Sequence, residues 1–373
     1  MDSLLGIIKK DWEELKQVEG NSIDDEYRQR KGALNHLSRL NSFYKYFDDR
    51  KFLHKVENIK IESPIFILGH WRCGTTLLHS IFSLDEQFGY ANKFEISNPH
   101  VFLSREEKIA KRLENAKAEK RHMDNVKITF SSPDEDETAI SMMCQRSPII
   151  AWAFTRNHEK YAKYHTFERA SQADFERWRD AMVLFYKKLT FKYQRPLVLK
   201  SPVHLGRMKI LLDIFPDARF IHIYRNPYRV YQSTKKLYAE ALQHTCLQRP
   251  NLEDWNRYIL ENYSTMYDAF WRDKAVVPKE RLFEISFEEF EQDIYGHVAS
   301  IYEYFRIPNF NRFEPALKKH LESIKDYKKN TFPSLPADEI EKINTAWIST
   351  FENLDYEIVN PKNARATMEP KEP

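Results

Sequence analysis

A six-residue loop early in the chain carries residue types that bind anions. The apolar residues 65–68 lead into Gly69, and five positions later Gly74 precedes the hydroxyl side chains of Thr75 and Thr76. This spacing follows the phosphate-loop pattern G-x-x-x-x-G-K-[ST], in which backbone N–H groups and the start of a helix point at an anion. The chain has only 8 glycines in 373 residues, so two of them framing one turn favour an anion site over an ordinary strand-to-helix turn.

One position of the loop departs from that pattern. Loops that serve ATP or GTP place a lysine before the final hydroxyl residue to reach the phosphates, and that hydroxyl residue holds Mg²⁺. Here Thr75 occupies the lysine position, and the cation of the loop is Arg72. A monoanionic sulfuryl group carries less charge than a phosphoryl group, so it could be transferred without a metal clamp. A sulfuryl-transfer loop and an atypical nucleotide kinase or hydrolase loop both stay open, and we expect no metal site.

Two more cations stand where short apolar strands end. Lys200 follows residues 197–199, and Arg225 follows residues 219–224, with a helical pattern after each of them. Because parallel strands bring their carboxyl ends to one edge of a sheet, we expect these two cations beside Arg72. Each residue alone could be a surface charge, but their shared position favours one anion site. The pattern predicts an α/β protein with a parallel sheet.

Carboxylates near these cations are candidate general bases. Glu95 lies in the polar residues 89–100, which we predict to form a loop above the same edge of the sheet. Glu135, Asp136 and Glu137 begin a predicted helix, where they could either compensate the helix dipole or point a carboxylate at the cations. Both groups of carboxylates are therefore kept as candidates.

The composition argues against several classes of function. A formal net charge of +3 with both signs interleaved disfavours nucleic-acid binding, and 42% hydrophobic residues suffice for a sizeable core. The three scattered cysteines, Cys73, Cys144 and Cys246, form neither a disulfide framework nor a zinc set, which predicts a reducing compartment. No apolar run approaches the ~18 residues of a membrane span, and no signal peptide is evident. We expect a cytoplasmic protein with no nucleic-acid or membrane partner.

Cys73 combines two features that lower the pKa of a thiol. It stands at the predicted N-terminus of a helix and next to Arg72. We therefore expect alkylation of Cys73 to inactivate the protein and a bound nucleotide to protect it. The alternative is a small residue that merely fits the turn.

The chain is expected to form one domain, residues 1–373. A helical cap over residues 1–60 precedes an α/β core with helical insertions over residues 64–310. A C-terminal closing segment follows over residues 311–356, and the Pro- and Lys-rich residues 360–373 are predicted to be disordered.

Two helical patterns rich in aromatic residues have two interpretations each. In the cap, the apolar side chains include Trp12, Phe43 and Phe47, and acidic residues interrupt the basic ones. That interruption favours a helix docked on the core over a helix lying on a membrane surface. In residues 252–271, the spacing favours core packing over an apolar acceptor pocket.

Three segments together resemble a known family. Residues 66–79 (FILGHWRCGTTLLH), 197–202 (LVLKSP) and 220–233 (FIHIYRNPYRVYQS) are similar to the cofactor-binding signature of sulfotransferases that use 3′-phosphoadenosine 5′-phosphosulfate (PAPS). The resemblance covers roughly residues 60–355 and is nearer to the tyrosylprotein and bacterial branch than to the cytosolic aryl and steroid branch. It implies a P-loop-type three-layer fold, with a central parallel sheet of about four to five strands flanked by helices and added N-terminal and acceptor-side helices.

The resemblance also implies a role for each matching residue. The loop for the 5′-phosphosulfate comprises Arg72, Cys73, Gly74, Thr75, Thr76 and Leu77. Arg225 and Ser233, at the family's spacing of eight residues, match the pair that binds the 3′-phosphate. Lys200 resembles the lysine that stabilises the transferring charge, and Lys328 and Lys329 fall in a basic segment that closes on the cofactor.

The implied reaction is in-line transfer of a sulfuryl group from PAPS to a hydroxyl, with Arg72 and Lys200 stabilising the charge and no metal required. Glu95 resembles in position the base of the tyrosylprotein branch. The segment with Glu135 is similar to an acidic segment of bacterial relatives, and His100 is a poorer match to the histidine of the cytosolic branch. We expect a small lipophilic acceptor, sterol- or phenol-like. A nucleotide-binding module without catalysis is a further alternative, and homodimer formation is left open.

Overall fold

A four-stranded parallel sheet forms the centre of the computed structural model, which describes residues 4–113, 119–120, 127–325 and 332–363. The strands of the described chain are β1 (Ile65–Leu68), β2 (Glu119–Lys120), β3 (Lys127–Ile128), β4 (Val198–Lys200), β5 (Arg219–Tyr224) and β6 (Leu282–Ser286). The central sheet has the order β4-β1-β5-β6, and β2 and β3 form a separate antiparallel pair.

Helices cover most of the remaining described residues. The α-helices are α1 (Lys9–Gln17), α2 (Arg28–Val56), α3 (Thr75–Phe82), α4 (Lys93–Ser97), α5 (Phe102–Leu113), α6 (Asp136–Cys144), α7 (His158–Ala162), α8 (Gln172–Tyr193), α9 (Met208–Ile214), α10 (Pro227–Thr245), α11 (Leu252–Lys274), α12 (Phe287–Gln292), α13 (Ile294–Tyr304), α14 (Phe310–Ile324), α15 (Ala337–Ala346) and α16 (Ile348–Asn353). Short 3-10 turns occur at Asp25–Tyr27, Pro148–Trp152, Thr155–Asn157, Lys163–His165, Pro202–Arg207, Lys279–Arg281 and Pro361–Asn363.

The alternating side chains of β1 enter two different cores. Ile65 and Ile67 pack on one face of the sheet among residues of α3, α13 and α14. Phe66 and Leu68 pack on the other face among residues of α8, α9 and α11. Successive residues of a strand point to opposite faces, so a wholly apolar strand must be covered on both sides. The predicted three-layer α/β fold is therefore confirmed.

The register of the sheet aligns the strand ends that carry the cations. Lys200, the last residue of β4, lies beside Ile67 of β1, two residues before the loop begins. On the other side of β1, Leu68 lies beside His222 of β5, and Arg225 follows directly after that strand. The expected arrangement of cations at one edge of the sheet is thus present.

Several element boundaries differ from the sequence expectation. The segment 89–100, predicted as a loop, contains helix α4, whose N-terminus is capped by Asn92. The helical pattern expected after Lys200 begins as a 3-10 turn at Pro202 and becomes α-helical only at Met208. The N–H groups of a first helical turn have no partner within the helix, so a proline, which has no N–H group, costs nothing there. Pro202 therefore suits the start of this turn.

The C-terminal segment packs on α10. Gln232 Nε2 donates to the carbonyl of Pro333 over 2.6 Å, and Lys235 Nζ lies 2.5 Å from Glu339 Oε1 of α15. Farther along, the backbone N–H of Val359 donates to the Tyr228 hydroxyl over 2.9 Å. Residues 333–359 therefore cover one side of the helix that follows β5. Of the tail predicted to be disordered, residues 360–363 form a short turn and residues 364–373 lie outside the described chain.

The N-terminal helices α1 and α2 dock on the rest of the chain. Trp12 of α1 is fully buried, and its Nε1 donates to Asn35 Oδ1 of α2 over 2.7 Å. None of the helices in the described ranges combines the length and apolar character needed to cross a bilayer. In α11, Trp255, Tyr263 and Phe270 are buried in the main core, which agrees with the packing interpretation of that aromatic pattern.

Candidate active site

The loop between β1 and α3 depends on its two glycines. Gly69 and Gly74 have φ angles of +153° and +96°, which side chains rarely allow. A Cβ atom at Gly69 would overlap the carbonyl oxygen of Ile223, and one at Gly74 would overlap the ring of Phe287. Both glycines are thus required by close approaches of neighbouring elements. Helix α3 begins immediately after Gly74, so its N-terminal N–H groups open onto the loop.

Arg72 links the loop to the helix after β5. Its Nε donates to Ser233 Oγ of α10 over 2.7 Å, and its backbone carbonyl accepts from Arg225 Nη1 over 3.3 Å. Arg72 also has a φ angle of +72°, a left-handed conformation that costs a non-glycine residue ~1–3 kcal/mol. Arg72, predicted to bind the 5′-phosphosulfate of the donor, is therefore in contact with Arg225 and Ser233, predicted to bind its 3′-phosphate.

The guanidinium of Arg225 is held over an aromatic ring. Its central carbon lies 4.4 Å from the centre of the Phe287 ring, the same ring that contacts Gly74. Stacking on an aromatic face fixes the plane of a guanidinium without neutralising its charge. Phe287 thus positions both a loop glycine and a candidate phosphate ligand, although no sequence pattern marked it.

The expected lowering of the Cys73 thiol pKa is wrong. Its side chain is fully buried, and burial raises the thiol pKa to about 12 despite the nearby charge of Arg225. A thiolate in apolar surroundings loses its hydration, and this loss exceeds the benefit of a neighbouring cation. Cys73 is therefore a small apolar residue that fits beneath the loop, which was the alternative.

Lys200 and Glu135 form an ion pair at the end of β4. Lys200 Nζ lies 3.0 Å from Glu135 Oε1. The lysine side chain is 2% exposed, whereas the glutamate side chain is 22% exposed. The structure thus brings a buried cation of the sheet edge together with a carboxylate that solvent or a substrate can still reach.

The two carboxylates after Glu135 serve the scaffold. Asp136 accepts from the Tyr186 hydroxyl and lies 3.0 Å from His204 Nε2. Burial alone would raise the pKa of Asp136, but His204 and the hydrogen bonds outweigh it and lower that pKa to about 2. Glu137 forms a two-point ion pair with Arg207, at 2.8 and 3.1 Å.

Glu95 is placed in a closed environment. Its Oε2 accepts from the backbone N–H of Asn92 over 2.7 Å, completing a capping box at the start of α4. Its Oε1 lies 2.6 Å from Lys192 Nζ of α8. Burial raises the pKa of Glu95 to about 7 although Lys192 opposes the shift. Both carboxylate oxygens thus have structural partners, and the side chain is not exposed.

The histidine candidate is also buried. Burial lowers the pKa of His100 well below its usual range, and the neighbouring Lys188 lowers it further. Lys188 Nζ donates to the carbonyl of His100 over 2.9 Å, which ties this segment to α8.

An aromatic cluster includes the tryptophan of the loop. The ring centre of Trp71, in the loop, lies 6.4 Å from that of Trp152 and 6.4 Å from that of Tyr238. The ring centres of Trp152 and Tyr238 are 5.5 Å apart. The pKa of Tyr238 is raised well above its usual range, first by burial and then by the charges of Tyr258 and Glu135. Trp152 is only partly buried. We name Trp71, Trp152 and Tyr238 the aromatic wall.

Sequence reasoning missed the aromatic wall. Trp71 lies inside the glycine-framed loop, and a tryptophan at such a position was a signal that could have been used. Trp152 and Tyr238 join it only through folding, because they are far apart in the chain. Lys328 and Lys329 lie outside the described residues.

Comparisons with known proteins agree with the fold and the loop. The model of the sulfotransferase family matches residues 64–312. The omega-hydroxy-beta-dihydromenaquinone-9 sulfotransferases Stf3 of Mycobacterium bovis and Mycobacterium tuberculosis are each 30% identical to this chain over 330 residues, which cover 88% of the chain and 84% of the relative.

Two solved structures share the fold. The sulfotransferase STF9 from Mycobacterium avium superposes with a TM-score of 0.67 at 19% identity, covering 92% of this chain and 90% of that one. The sulfotransferase STF1 from Mycobacterium tuberculosis H37Rv gives a TM-score of 0.60 at 17% identity, covering 90% and 89%. The family match disfavours the nucleotide kinase and hydrolase alternatives. With its threonine in the lysine position of a phosphate loop, this chain belongs to the sulfotransferase family.

Proposed function

We propose that the protein transfers the sulfuryl group of PAPS to a hydroxyl of a lipophilic small-molecule acceptor, with Glu135 as the general base. Family membership supports sulfuryl transfer. The donor and the acceptor class are supported by the loop, by the cations around it and by the aromatic wall.

The donor end is supported by the cluster of Arg72, Arg225 and Ser233. Two guanidinium groups and a hydroxyl lie beside a loop whose backbone N–H groups open at the start of α3. Guanidinium groups suit phosphate oxygens because they donate two parallel hydrogen bonds, and a helix N-terminus favours a second anion. A nucleotide with two separate phosphate-type groups fits this set of donors.

The contact between Lys200 and Glu135 is the observation that carries the proposal. A base must reach the acceptor hydroxyl, and an acid or cation must reach the leaving oxygen on the opposite side of the sulfur. The 3.0 Å contact places both groups at the carboxyl end of β4, next to the strand that feeds the loop. Glu95 offers no such access, because both of its carboxylate oxygens have structural partners and its side chain is buried.

The reaction balances with these groups. As the acceptor oxygen bonds to sulfur, Glu135 takes the hydroxyl proton. As the bond between sulfur and the 5′-phosphate oxygen breaks, Lys200 stabilises the negative charge left on that oxygen. Arg72 and the loop N–H groups stabilise the oxygens that stay on sulfur. Donor binding must therefore separate the resting ion pair of Lys200 and Glu135, since the two groups act on opposite sides.

The aromatic wall supports a lipophilic acceptor. Trp71 and Tyr238 are buried and Trp152 is partly accessible, so an apolar ring or chain could lie against the accessible side of Trp152. The 30% identical relatives act on an omega-hydroxylated dihydromenaquinone. A hydroxylated isoprenoid or quinone is thus the first acceptor class to test, ahead of the sterol- or phenol-like alcohols that the sequence favoured.

The test measures transfer from ³⁵S-labelled PAPS to a panel of alcohols by wild type, Glu135→Gln and Glu95→Gln. The panel contains an isoprenoid alcohol, a hydroxylated quinone, a sterol, a phenol and a sugar. We expect Glu135→Gln to lower kcat by ~10²–10⁴, the usual contribution of a general base, and Glu95→Gln to retain most of the turnover.

Separate results would overturn each part of the proposal. Full activity of Glu135→Gln together with loss in Glu95→Gln would transfer the base to Glu95. Transfer to the sugar alone would exclude a lipophilic acceptor. Tight binding of adenosine 3′,5′-bisphosphate without transfer to any alcohol in the panel would favour the nucleotide-binding module.

A further inference from the structure

Helix α2 carries an outward face that combines exposed aromatic rings with basic side chains. Phe43, Tyr46 and Phe47 are 58%, 56% and 53% exposed. Their rings form one group, with centres 5.0 Å apart for Phe43 and Phe47 and 5.3 Å apart for Tyr46 and Phe47. Arg39 precedes them and Arg50 follows them at helical spacing, and both are exposed. We call Arg39, Phe43, Tyr46, Phe47 and Arg50 the α2 stripe.

The charge of α2 is unlike that of the rest of the chain. Its 29 residues include eight lysines and arginines against two aspartates, a formal charge of +6, whereas the whole chain carries +3. The rest of the chain is therefore net negative. Both aspartates of α2 are already paired, since Asp48 lies 3.2 Å from Lys188 and Asp49 pairs with Lys45. The outward face thus meets solvent with positive charge.

The opposite side of α2 is fastened to the protein. Asn41 Nδ2 donates to the carbonyls of Leu5 and Ile7, and the buried Asp48 also accepts from the backbone N–H of Ser104 over 3.2 Å. These contacts fix which side chains of α2 face outward. Exposure of the aromatic rings therefore does not arise from a loosely attached helix.

We propose that the α2 stripe docks the protein on an anionic lipid surface, with the aromatic rings at the level of the headgroups. Aromatic rings flanked by arginines match the two layers of a bilayer surface, because the rings favour the interface and the guanidinium groups favour the phosphates. The sequence favoured a docked helix and no membrane partner. This proposal departs from the second expectation, because docking on one face leaves the other face of α2 exposed. A second copy of the chain is disfavoured as the occupant, because a symmetric contact would oppose two helices of charge +6.

Such docking would suit the proposed acceptor but does not depend on it. The inference concerns the surface of α2, and its test needs neither donor nor acceptor. Failure of the proposed reaction would leave the inference standing, and the reverse also holds.

The experiment is flotation of the purified full chain with vesicles of phosphatidylglycerol and phosphatidylcholine, or of phosphatidylcholine alone. We expect binding to the anionic vesicles that weakens with added salt. The double variant Phe43→Ser/Phe47→Ser should lower the partition constant for the anionic vesicles by about tenfold or more. Arg39→Gln/Arg50→Gln should lower it by a similar factor. Leu252→Ser/Val276→Ser, which alters two apolar residues exposed elsewhere, is the matched control and should bind like wild type.

Three results would overturn the proposal. They are no binding of wild type to anionic vesicles, equal binding by wild type and Phe43→Ser/Phe47→Ser, and an oligomer in solution that the same double variant dissociates. Thermal unfolding of each variant verifies its fold, and because all four altered residues of the stripe are exposed, we expect unchanged midpoints.

Discussion

Arg72 Nε donates a 2.7 Å hydrogen bond to Ser233 Oγ, and this contact joins the loop after β1 to the helix after β5. The two residues are 161 positions apart, yet the parallel register of β1 and β5 brings their strand ends side by side. A donor held by Arg72 at one end and by Ser233 at the other would meet one connected set of hydrogen bonds. Changes at either residue should then affect donor binding before they affect the chemical step.

Ser233→Ala tests that connection. Removing the hydroxyl leaves the Arg72 guanidinium without this partner and removes a candidate ligand of the 3′-phosphate. Because a hydrogen bond to a charged group contributes ~1.5–3 kcal/mol, we expect the KM for PAPS to rise by about tenfold or more. Initial-rate kinetics with varied PAPS measures the effect, and Ser264→Ala on α11 is the matched control. An unchanged KM for PAPS with a lowered kcat would contradict a binding role.

Gly74→Ala tests the conformation of the loop. A Cβ atom at Gly74 would overlap the Phe287 ring, and the backbone is in the left-handed region. We expect a loss of ~1–3 kcal/mol in the free energy of unfolding and weaker donor binding.

Gly32→Ala is the control for that substitution. Gly32 lies in α2 with open space around it, so an added methyl group meets nothing. Alanine should stabilise the helix by ~0.5–1 kcal/mol. Urea unfolding gives the free energy of unfolding of both variants. Equal changes in the same direction would show that the loop does not need glycine at position 74.

Iodoacetamide should not label the folded protein. Cys73, Cys144 and Cys246 are all buried, and burial raises the thiol pKa of Cys73 and of Cys144 to about 12. We expect no modification of native protein at neutral pH and modification of all three thiols in urea, as measured by mass spectrometry. Rapid labelling of native Cys73 that adenosine 3′,5′-bisphosphate prevents would restore the sequence-based expectation.

Glu95→Gln should change how stability depends on pH. Burial raises the pKa of Glu95 from 4.5 to about 7, so the unfolded chain releases this proton at lower pH than the folded chain. The group therefore stabilises the fold below pH 4.5, and that contribution is lost as the pH rises toward 7.

The measurement is urea unfolding of wild type and Glu95→Gln across this interval. The stability of wild type relative to the variant should fall by on the order of 2–3 kcal/mol with rising pH. The offset from losing the ion pair with Lys192 does not alter this slope, because Lys192 stays charged throughout. Parallel curves would mean that the Glu95 pKa is not shifted.

Local sequence signals predicted the elements that frame the site. The strand Ile65–Leu68 coincides with the apolar residues 65–68, and the helix Thr75–Phe82 begins directly after Gly74, because an apolar run and two glycines mark both elements within a short stretch. Lys200 and Arg225 were placed at strand ends by the same kind of signal. The capping box of Asn92 and Glu95 was also readable as Asn-x-x-Glu, and using it would have shown a helix start where a loop was expected.

Contacts between distant segments could not be predicted in this way. Glu135 was one of several acidic candidates, and only folding shows that it meets Lys200 while Asp136 faces His204. The thiol of Cys73 was misjudged because its neighbours in the chain indicate a cation, whereas its burial depends on the whole fold. The exposed face of α2 likewise required knowing which side of the helix docks.

The packing of residues 333–359 on α10 affects the order in which the protein folds during its synthesis on the ribosome. Ser233 lies in α10. In the same helix, Gln232 bonds to Pro333 and Tyr228 bonds to Val359, which are about a hundred or more positions later in the chain. A nascent chain can therefore form the sheet and the first loop well before this helix receives its outer cover. The side of α10 next to the proposed donor site would then be covered last, and chains terminated before residue 333 would have the sheet without this cover.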